Sequence, residues 1–533
     1  MQGSKRGFWA ALAVILLSAI LGGIYGPRVE ATTSRGNDVE DAVRNFTKIF
    51  AIVEQNYADP VDPDRAIYRG AIPGMLRTLD PHSNFLDTRA FTLLRENQRG
   101  HYYGVGMQVG PRDGRTIVHA PFPGSPAYKV GLRPGDVIIR VDETPTDGLT
   151  TSEVADLLKG PKGTVVRVWV SREGFDEPLR LVITRDEIPR LSVDFYFHLQ
   201  PRVGYVRVAH FNENTHEEMA ETLEKLGVDT LEGLVLDLRG NPGGLLNESV
   251  AVADMFLEKN QLIVTHRGRT QRERRYHATR GNGGRNFSLV ILIDRYTASA
   301  AEIVSGAIQD HDRGLIVGET SFGKGLVQTV YPLSQGTGMA LTTSRYYTPS
   351  GRLIQRDFTA VSLYNYYYGN DRENNSHDVF ATDSGRTVYG GGGITPDVEF
   401  SQPRYNPFQE ALIRKLIIYP FEVGIGDFAK RYLAQYPEVS RDFEVDDAVL
   451  NEFRLYLSER NLQFAESDIQ DNLDWLKLHI KKEVFTSAFG LDDGRKVAIQ
   501  ADPQVQRALE LLPLAKQLTE DAERTIAERR RKR

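Results

Sequence analysis

A serine and a lysine in the middle of the chain have the residue types and surroundings of a nucleophile and its general base. Ser299 opens a predicted helix, where free N–H groups and the helix dipole favour the negative charge that develops during attack. Lys324 stands between two glycines at the start of an apolar strand, and a desolvated lysine can accept a proton near neutral pH. Gln328 shares a strand face with Lys324 and could orient the amine. The pair predicts hydrolysis that uses no cysteine, metal or histidine.

Both residues also have simpler interpretations. Ser299 and Glu302 form a Ser-x-x-Glu capping box, so the serine could merely cap its helix. Lys324 could be an ordinary surface lysine. The interpretation as a catalytic pair therefore depends on bringing the two side chains together.

A phosphate-binding loop is a competing interpretation of the lysine segment. Gly318-x4-Gly323-Lys324 follows a predicted strand, as such a loop does. Gly325 stands where the motif requires Ser or Thr, and a strand follows where a helix is needed. The pattern therefore argues against nucleotide hydrolysis.

A glycine turn after another buried strand could stabilise an oxyanion. Asp237-Leu238-Arg239-Gly240-Asn241-Pro242-Gly243-Gly244 could aim backbone N–H groups at a developing negative charge. It could equally be a plain strand-to-helix turn.

A Ser-His-Asp triad stays open as well, because a triad is defined by geometry. His311 and Asp312 are expected to lie a helix length away from Ser299. His82 and His210 have no supporting local signature.

Composition narrows the class of protein. At roughly 150 residues per domain, 533 residues predict three or four domains. The net charge of -6 favours no nucleic-acid partner. The absence of cysteine excludes disulfides, thiol nucleophiles and cysteine-ligated metals, and His216 lacks the companions of a zinc motif. We expect neither metal nor cofactor.

The N-terminus predicts export. Lys5 and Arg6 precede an apolar run, residues 8–25, and Val29-Glu30-Ala31 is an acceptable cleavage site. Residues 1–31 suit a cleaved signal peptide or a retained membrane anchor. In both cases the rest of the chain would be extracytoplasmic, in the periplasm or cell envelope, with anchoring in the inner membrane as one outcome.

Hydrophobic periodicity predicts that the remaining chain is a multidomain α/β protein. Residues 364–393 are expected to form a surface loop. The predicted parts are a helical N-terminal region (38–97, interrupted by a turn at Asp80-Pro81-His82-Ser83), a β-rich domain (98–187), an α/β layered domain (188–404) and a helical C-terminal extension (405–533).

The β-rich part resembles a PDZ domain. The turn Gly131-Leu132-Arg133-Pro134-Gly135-Asp136 followed by an apolar strand carries the resemblance. PDZ domains bind extended peptides by adding a strand to a sheet edge. The resemblance implies that Gly104, Val105, Gly106 and Met107 hold a terminal carboxylate; the simpler alternative is a glycine turn.

The chain from about 38 to 400 resembles the C-terminal processing peptidases, also called tail-specific proteases, which are serine proteases with a Ser-Lys dyad and a PDZ domain. Beyond the segments already quoted, the resemblance rests on Phe322-Gly323-Lys324-Gly325, Tyr347-Thr348-Pro349-Ser350-Gly351-Arg352 and Gly392-Gly393-Ile394-Thr395-Pro396-Asp397.

The resemblance implies Ser299 as nucleophile, Lys324 as base and Gln328 as orienting residue. It places the oxyanion hole at backbone N–H groups of Gly243 and Ala300, with Gly244 as the alternative to Gly243. Two features depart from the family pattern. Ala301 stands where members often have serine, and the extension after 405 is long; it could be a packing domain, an oligomerisation surface or an adaptor site.

These observations predict an endopeptidase that captures protein C-termini through its PDZ domain and cleaves by acyl transfer. The expected partners are proteins or peptides with apolar C-termini. The alternative is a non-enzymatic PDZ scaffold whose protease domain has decayed.

Overall fold

The computed structural model describes residues 35–172, 174–359, 361–369, 378–413, 425–459 and 464–532. The predicted signal peptide or anchor, residues 1–31, lies outside these ranges. Among the helices of the described ranges, none has the length and apolar composition needed to cross a bilayer.

The chain divides into two compact units, Met1–Thr78 and Leu79–Arg533. The first contains α1 (Arg35–Asn56), a π-helical segment (Arg65–Ala71) and α2 (Ile72–Arg77). The helical character of the N-terminal region is thus confirmed. The predicted domain 38–97 nevertheless crosses the division between the units, and the exact domain boundaries stay predictions.

The second unit opens with the turn that contains His82, followed by β1 (Asn84–Leu86) and α3 (Thr88–Arg99). The Asp87 carboxylate caps α3 by accepting the Ala90 N–H at 2.8 Å. The helical prediction was wrong for β1. Three residues carry no periodic signal, and this strand forms because a distant strand pairs with it.

An antiparallel sheet with the order β3-β4-β5-β7-β8 forms the β-rich domain. The side chains of Val166, Val168 and Val170 alternate into its core and are fully buried. Strands β2 and β9 pair with each other as a separate ribbon. The elements are β2 (His101–Gly104), β3 (Met107–Arg112), β4 (Arg115–Pro121), α4 (Pro126–Lys129), β5 (Val137–Val141), β6 (Thr144–Pro145), α5 (Thr151–Leu158), β7 (Val165–Ser171), β8 (Leu179–Thr184) and β9 (Asp186–Pro189).

Two further sheets follow. One has the order β10-β11-β12-β15-β16-β21 and is parallel from β11 onward. The other has the order β1-β18-β13-β14, with β17 also pairing β18. The elements are β10 (Val193–Gln200), β11 (Val203–Val208), α6 (Thr215–Lys225), β12 (Gly233–Asp237), α7 (Leu246–Asp254), β13 (Leu262–Gly268), β14 (Arg274–His277), β15 (Ser288–Ile293), α8 (Ala300–Asp310), β16 (Leu315–Gly318), β17 (Leu326–Pro332), β18 (Gly338–Tyr347), α9 (Leu363–Tyr368), β19 (Val379–Ala381), β20 (Thr387–Tyr389) and β21 (Val398–Glu399).

Helices cover both faces of the parallel sheet. On one face Leu236 packs with residues of α6, α7 and α8, and on the other Val235 packs with Val505 and Leu512 of the C-terminal helix. A strand buried on both faces must be apolar throughout, which explains the continuous runs in β12 and β15. The fold class predicted from the sequence is confirmed.

The C-terminal region is helical as predicted, and its last helix is part of the core of the α/β layered domain. The elements are α10 (Pro407–Leu412), α11 (Ile425–Gln435), α12 (Asp447–Glu459), α13 (Glu466–Gln470), α14 (Leu473–Phe489), α15 (Leu491–Gln500) and α16 (Pro503–Lys532). Of the roles left open for the extension, the structure shows packing for α16. Oligomerisation and adaptor binding stay predictions.

The expectation of a surface loop at residues 364–393 was wrong in its described part. Helix α9 and the hairpin β19–β20 lie there, and Tyr366 is only 1% exposed. A polar and aromatic composition resembled a loop, but Tyr366 packs against Phe322 and His82, which are remote in sequence.

Candidate active site

Ser299 occupies a strained turn between β15 and α8. Its φ of 55° and ψ of -114° are unfavourable for a residue with a side chain. The Ala298 N–H donates to Asn241 O at 2.9 Å, which holds the turn to the glycine segment after β12. The Ser299 hydroxyl makes no capping hydrogen bond to α8. Strain at a strand-to-helix turn that presents a serine is a feature of hydrolase nucleophiles, and the structure does not use this hydroxyl as a cap.

The Glu302 side chain, which is fully buried, replaces the serine as the capping group. Oε2 accepts the Ser299 N–H at 2.7 Å and the Lys324 N–H at 2.9 Å. Oε1 accepts the Gly323 N–H at 2.7 Å and the Ser321 hydroxyl at 2.5 Å. Burial raises the pKa of the Glu302 carboxyl, and these four hydrogen bonds oppose that shift. One carboxyl group thus joins the serine turn to the lysine segment.

Lys324 projects into the same cleft as Ser299. Its Nζ donates to Gln328 Oε1 at 3.1 Å. Burial lowers the pKa of the amine below its usual value, although the charges of Glu302 and Asp80 act in the opposite direction. The segment that follows Lys324 is a strand, β17, and not a helix. The pairing of β17 with β18 has a bulge between Val327 and Gln328. The structure therefore brings Ser299, Lys324 and Gln328 together.

The Tyr346 hydroxyl lies between the two catalytic candidates. It donates to Ser299 O at 3.0 Å and Lys324 O at 2.6 Å, and the residue is only 1% exposed. Tyr346 and Glu302 thus connect the same two backbone segments, one through carbonyl groups and the other through N–H groups. No local motif marked Tyr346 in the sequence.

The turn around His82 supports Gln328. The Gln328 Nε2 donates to His82 O, and His82 Nε2 lies 2.9 Å from the Tyr366 hydroxyl. The His82 N–H is held by Asp80 Oδ1 at 2.7 Å. Burial, followed by the charge of Lys324, lowers the pKa of His82 to about 4, so the imidazole is neutral at physiological pH. The resemblance marked this turn as a motif, but its contact with the lysine's partner was not predictable.

The glycine segment after β12 touches the serine. A Cβ on Gly243 would lie 2.7 Å from Ser299 Cβ and 2.9 Å from Ala300 N. The Gly243 N–H itself donates to Asn241 Oδ1 at 2.8 Å. Among the hydrogen bonds of the described residues, none is donated by the N–H of Gly244 or Ala300. Of the two glycines, Gly243 therefore has an N–H group that is already hydrogen-bonded, whereas the N–H group of Gly244 is available. The oxyanion roles stay predictions.

A cleft of about 580 Å³ surrounds Ser299 and Lys324. Strand β17 lines it, and within the described residues this strand pairs only with β18, so its other edge is open. Most of the lining is apolar, while Arg190 and His210 contribute polar groups. The apolar side chains include Leu94, Phe211, Leu246, Ile303, Val327 and Val330.

The three histidines considered for a triad, His82, His210 and His311, do not form one among the described residues. His311 lies at the far end of α8, where it contacts Asp383 and Leu262 O. His210 lines the cleft and its Nε2 accepts from Asn212 Nδ2 at 3.2 Å. In the described part of the chain, neither His82 nor His210 forms an ion pair with a carboxylate, so neither has the acidic partner of a triad.

The predicted carboxylate loop leads into β3, an edge strand of its sheet. Gly104, Val105, Gly106 and Met107 are all buried. Gly106 has a φ of 76°, and its carbonyl accepts the Ser125 hydroxyl at 2.7 Å. The hydrogen bonds described for this chain include none from the N–H of Val105 or Gly106. The loop is thus fixed through a carbonyl group while these N–H groups are uncommitted.

Comparison with known proteins gives matches for both the α/β layered domain and the β-rich domain. Residues 202–360 match the family model for peptidase family S41, and residues 117–172 match a PDZ domain. The chain is 38% identical over 329 residues to a carboxy-terminal-processing protease of Bartonella bacilliformis, covering 61% of this chain and 75% of that protein. It is 33% identical over 334 residues to the carboxy-terminal processing protease CtpB of Bacillus subtilis, covering 62% and 68%. A solved photosystem II D1 C-terminal processing protease is 31% identical, with 67% of this chain and 86% of that chain covered and a TM-score of 0.35.

Proposed function

The chain belongs to peptidase family S41, the carboxy-terminal-processing serine-type peptidases, and from this premise we propose that it is an endopeptidase with a Ser299–Lys324 dyad. The observation that carries the proposal is the shared cleft. Ser299 and Lys324 both line it, burial lowers the pKa of the lysine amine, and Gln328 accepts a hydrogen bond from that amine.

The proposed reaction is acyl transfer in two steps. The neutral Lys324 amine takes the Ser299 hydroxyl proton as Oγ attacks the peptide carbonyl carbon. The C–N bond breaks, the leaving amine receives the proton from Lys324, and an ester to Ser299 remains. Lys324 then takes a proton from water, the resulting hydroxide attacks the ester, and Ser299 Oγ leaves with the proton. Backbone N–H groups of Ala300 and of Gly243 or Gly244 would stabilise the oxyanion.

The proposed substrate is an extended polypeptide with an apolar C-terminal segment. The open edge of β17 can pair with a peptide backbone, and the apolar lining of the cleft favours apolar side chains. The loop 104–107 would hold the terminal carboxylate, and the PDZ domain could also gate the active site. The extracytoplasmic location, with residues 1–31 as signal peptide or anchor, is part of the same proposal; fractionation of cells that produce the full chain tests it.

The test compares wild type with Ser299→Ala, Lys324→Ala and the exposed control Lys225→Ala on an unfolded protein, with products identified by mass spectrometry. We expect cleavage only by wild type and the control. Equal proteolysis by all four proteins would refute the dyad, and loss of cleavage in Lys225→Ala as well would show that the assay reports folding. For the PDZ domain, deletion of 98–187 should abolish the preference for tailed substrates; an unchanged preference would refute capture.

A further inference from the structure

Two side chains of the C-terminal extension contact the ends of the strands from which the active-site loops leave. Asp502 and Gln504 stand at the start of α16. The Asp502 Oδ1 accepts the Gln504 N–H at 2.8 Å, so this carboxylate is also anchored to its own helix. The extension follows the part of the chain that matches family S41, residues 202–360.

Gln504 spans the ends of β15 and β16. Its Nε2 donates to Val317 O at 3.1 Å and to Ile293 O at 3.4 Å, and the residue is 2% exposed. A Cβ on Gly318 would lie 2.6 Å from this amide nitrogen, so the contact is close. The turn after β15 leads to Ser299, and the segment after β16 leads to Lys324. One amide group thus restrains the starting points of both loops.

Asp502 contacts the third loop, the glycine segment after β12, through Arg239. Its Oδ2 accepts Arg239 Nη1 at 2.8 Å, and Gln504 Oε1 accepts the same nitrogen at 3.2 Å. The rest of the guanidinium binds Asp237 at the end of β12. Arg239 begins the segment that ends at Gly243, in contact with Ser299. The C-terminal extension therefore holds all three segments that supply the reacting groups.

Neither side chain lines the catalytic cleft. Gln504 and Arg239 line a second cavity, also of about 580 Å³, which shares no lining residue with the cleft around Ser299. A direct role in binding the scissile peptide is therefore excluded for this arrangement. Any effect of these residues on the reaction must pass through the loops.

We propose that Asp502 and Gln504 are positioning residues, which set the geometry of the Ser299, Lys324 and Gly243 segments for acylation. The inference rests on the proposed function. It predicts that the protease domain needs the C-terminal extension for the rate of the chemical step, as well as for packing. Since a displacement of about 1 Å at a reacting group can lower a rate roughly a hundredfold, small shifts of these strand ends are sufficient.

The experiment measures kcat and KM on a fluorogenic peptide for full-length wild type, Asp502→Asn and Gln504→Ala. The asparagine side chain keeps an oxygen that can accept the Gln504 N–H, so helix capping is retained while the charge opposite Arg239 is removed. Glu510→Gln is the control, because Glu510 is an exposed carboxylate on the same helix paired with Arg507. All rates are taken well below the unfolding temperature of each variant and normalised to the folded fraction.

We expect kcat to fall roughly ten- to a hundredfold in both variants, with KM changed by less than about threefold and the control like wild type. A purely structural role would lower only the folded fraction, and normalised kcat values equal to wild type would overturn the proposal. A double-mutant cycle adds a second criterion: Asp502→Asn should have little further effect in an Arg239→Met background, and full additivity would contradict the route through Arg239. If Asp502→Asn does not fold, Gln504→Ala alone is judged by the same kcat criterion.

The outcomes separate this inference from the proposed function. If wild type fails to cleave, or Ser299→Ala cleaves equally well, the proposed function is wrong. If wild type is active and Ser299→Ala is not, yet Asp502→Asn and Gln504→Ala keep the normal kcat, only the positioning role is wrong.

Discussion

Ser299 and Lys324 donate their backbone N–H groups to the same carboxylate oxygen, Oε2 of Glu302, at 2.7 and 2.9 Å. The shared acceptor fixes the distance between the two segments independently of the side chains that would react. Tyr346 repeats the connection through the two carbonyl groups. The two residues of the proposed dyad are therefore held through their backbone groups, which leaves the hydroxyl and amine available for the proposed chemistry.

Glu302→Gln should lower both activity and stability. The amide would present two donors toward a site that already contains four donors, and a buried group left without its partner is destabilising by about 1–3 kcal/mol. We expect kcat to fall at least about tenfold because both segments shift. Kinetics and denaturant unfolding check this, with the exposed Glu258→Gln as control. Normal kcat in the folded variant would show that Glu302 does not set the geometry.

The pH dependence of kcat/KM should contain a limb due to the Lys324 amine. Burial lowers the pKa of this amine, so the limb should lie below the usual lysine value of about 10.4, with activity rising as the amine loses its proton. A pH–rate profile of the free enzyme on an uncharged peptide measures it. A limb at the usual lysine value would contradict desolvation of the amine.

Lys324→Met should be inactive but more stable at neutral pH. The folded-state pKa is below the unfolded one, so the unfolded chain binds more protons between these two values and wild-type stability rises with pH across that window. Methionine removes this pH dependence, and we expect the free energy of unfolding at neutral pH to increase on the order of 1 kcal/mol. Denaturant unfolding at several pH values provides the measurement; a less stable variant at neutral pH would show that the charged lysine stabilises the fold.

Ser299→Gly should be more stable than Ser299→Ala, although both lack the proposed nucleophile. The φ of 55° is readily adopted by glycine, whereas any side chain there is strained by about 1–3 kcal/mol. Comparing thermal unfolding of the two inactive variants isolates backbone strain from loss of the hydroxyl. Equal stability would mean that the turn relaxes without strain.

Gly243→Ala should be inactive, whereas Gly240→Ala should retain most activity. Both glycines have positive φ values, 94° and 67°, so both substitutions strain the backbone. Only at Gly243 would the methyl group lie 2.7 Å from Ala298 O and from Ser299 Cβ; at Gly240 the space is open. Kinetics of the two folded variants test this, and equal activity would show that the contact of Gly243 with the serine turn is unimportant.

Much of this protein could be predicted from local patterns. The apolar runs of β12 and β15, the PDZ turns, and the neighbourhoods of Ser299 and Lys324 are contiguous in sequence, and hydrophobic periodicity and turn chemistry act over such short distances. The pairing of Lys324 with Gln328 was predictable for the same reason, since the two residues are four apart.

Tertiary structure alone decided how these parts meet. The second role of Glu302 as acceptor for the lysine segment, the bridge made by Tyr346 and the support of Gln328 by His82 all join residues far apart in the chain. So does the contact of Asp502 with Arg239. A hydrogen bond forms only where two groups lie within about 3 Å, and that proximity depends on the path of the whole chain through both sheets. The sequence by itself thus identified the candidate reacting residues, whereas the fold determined what holds them in place.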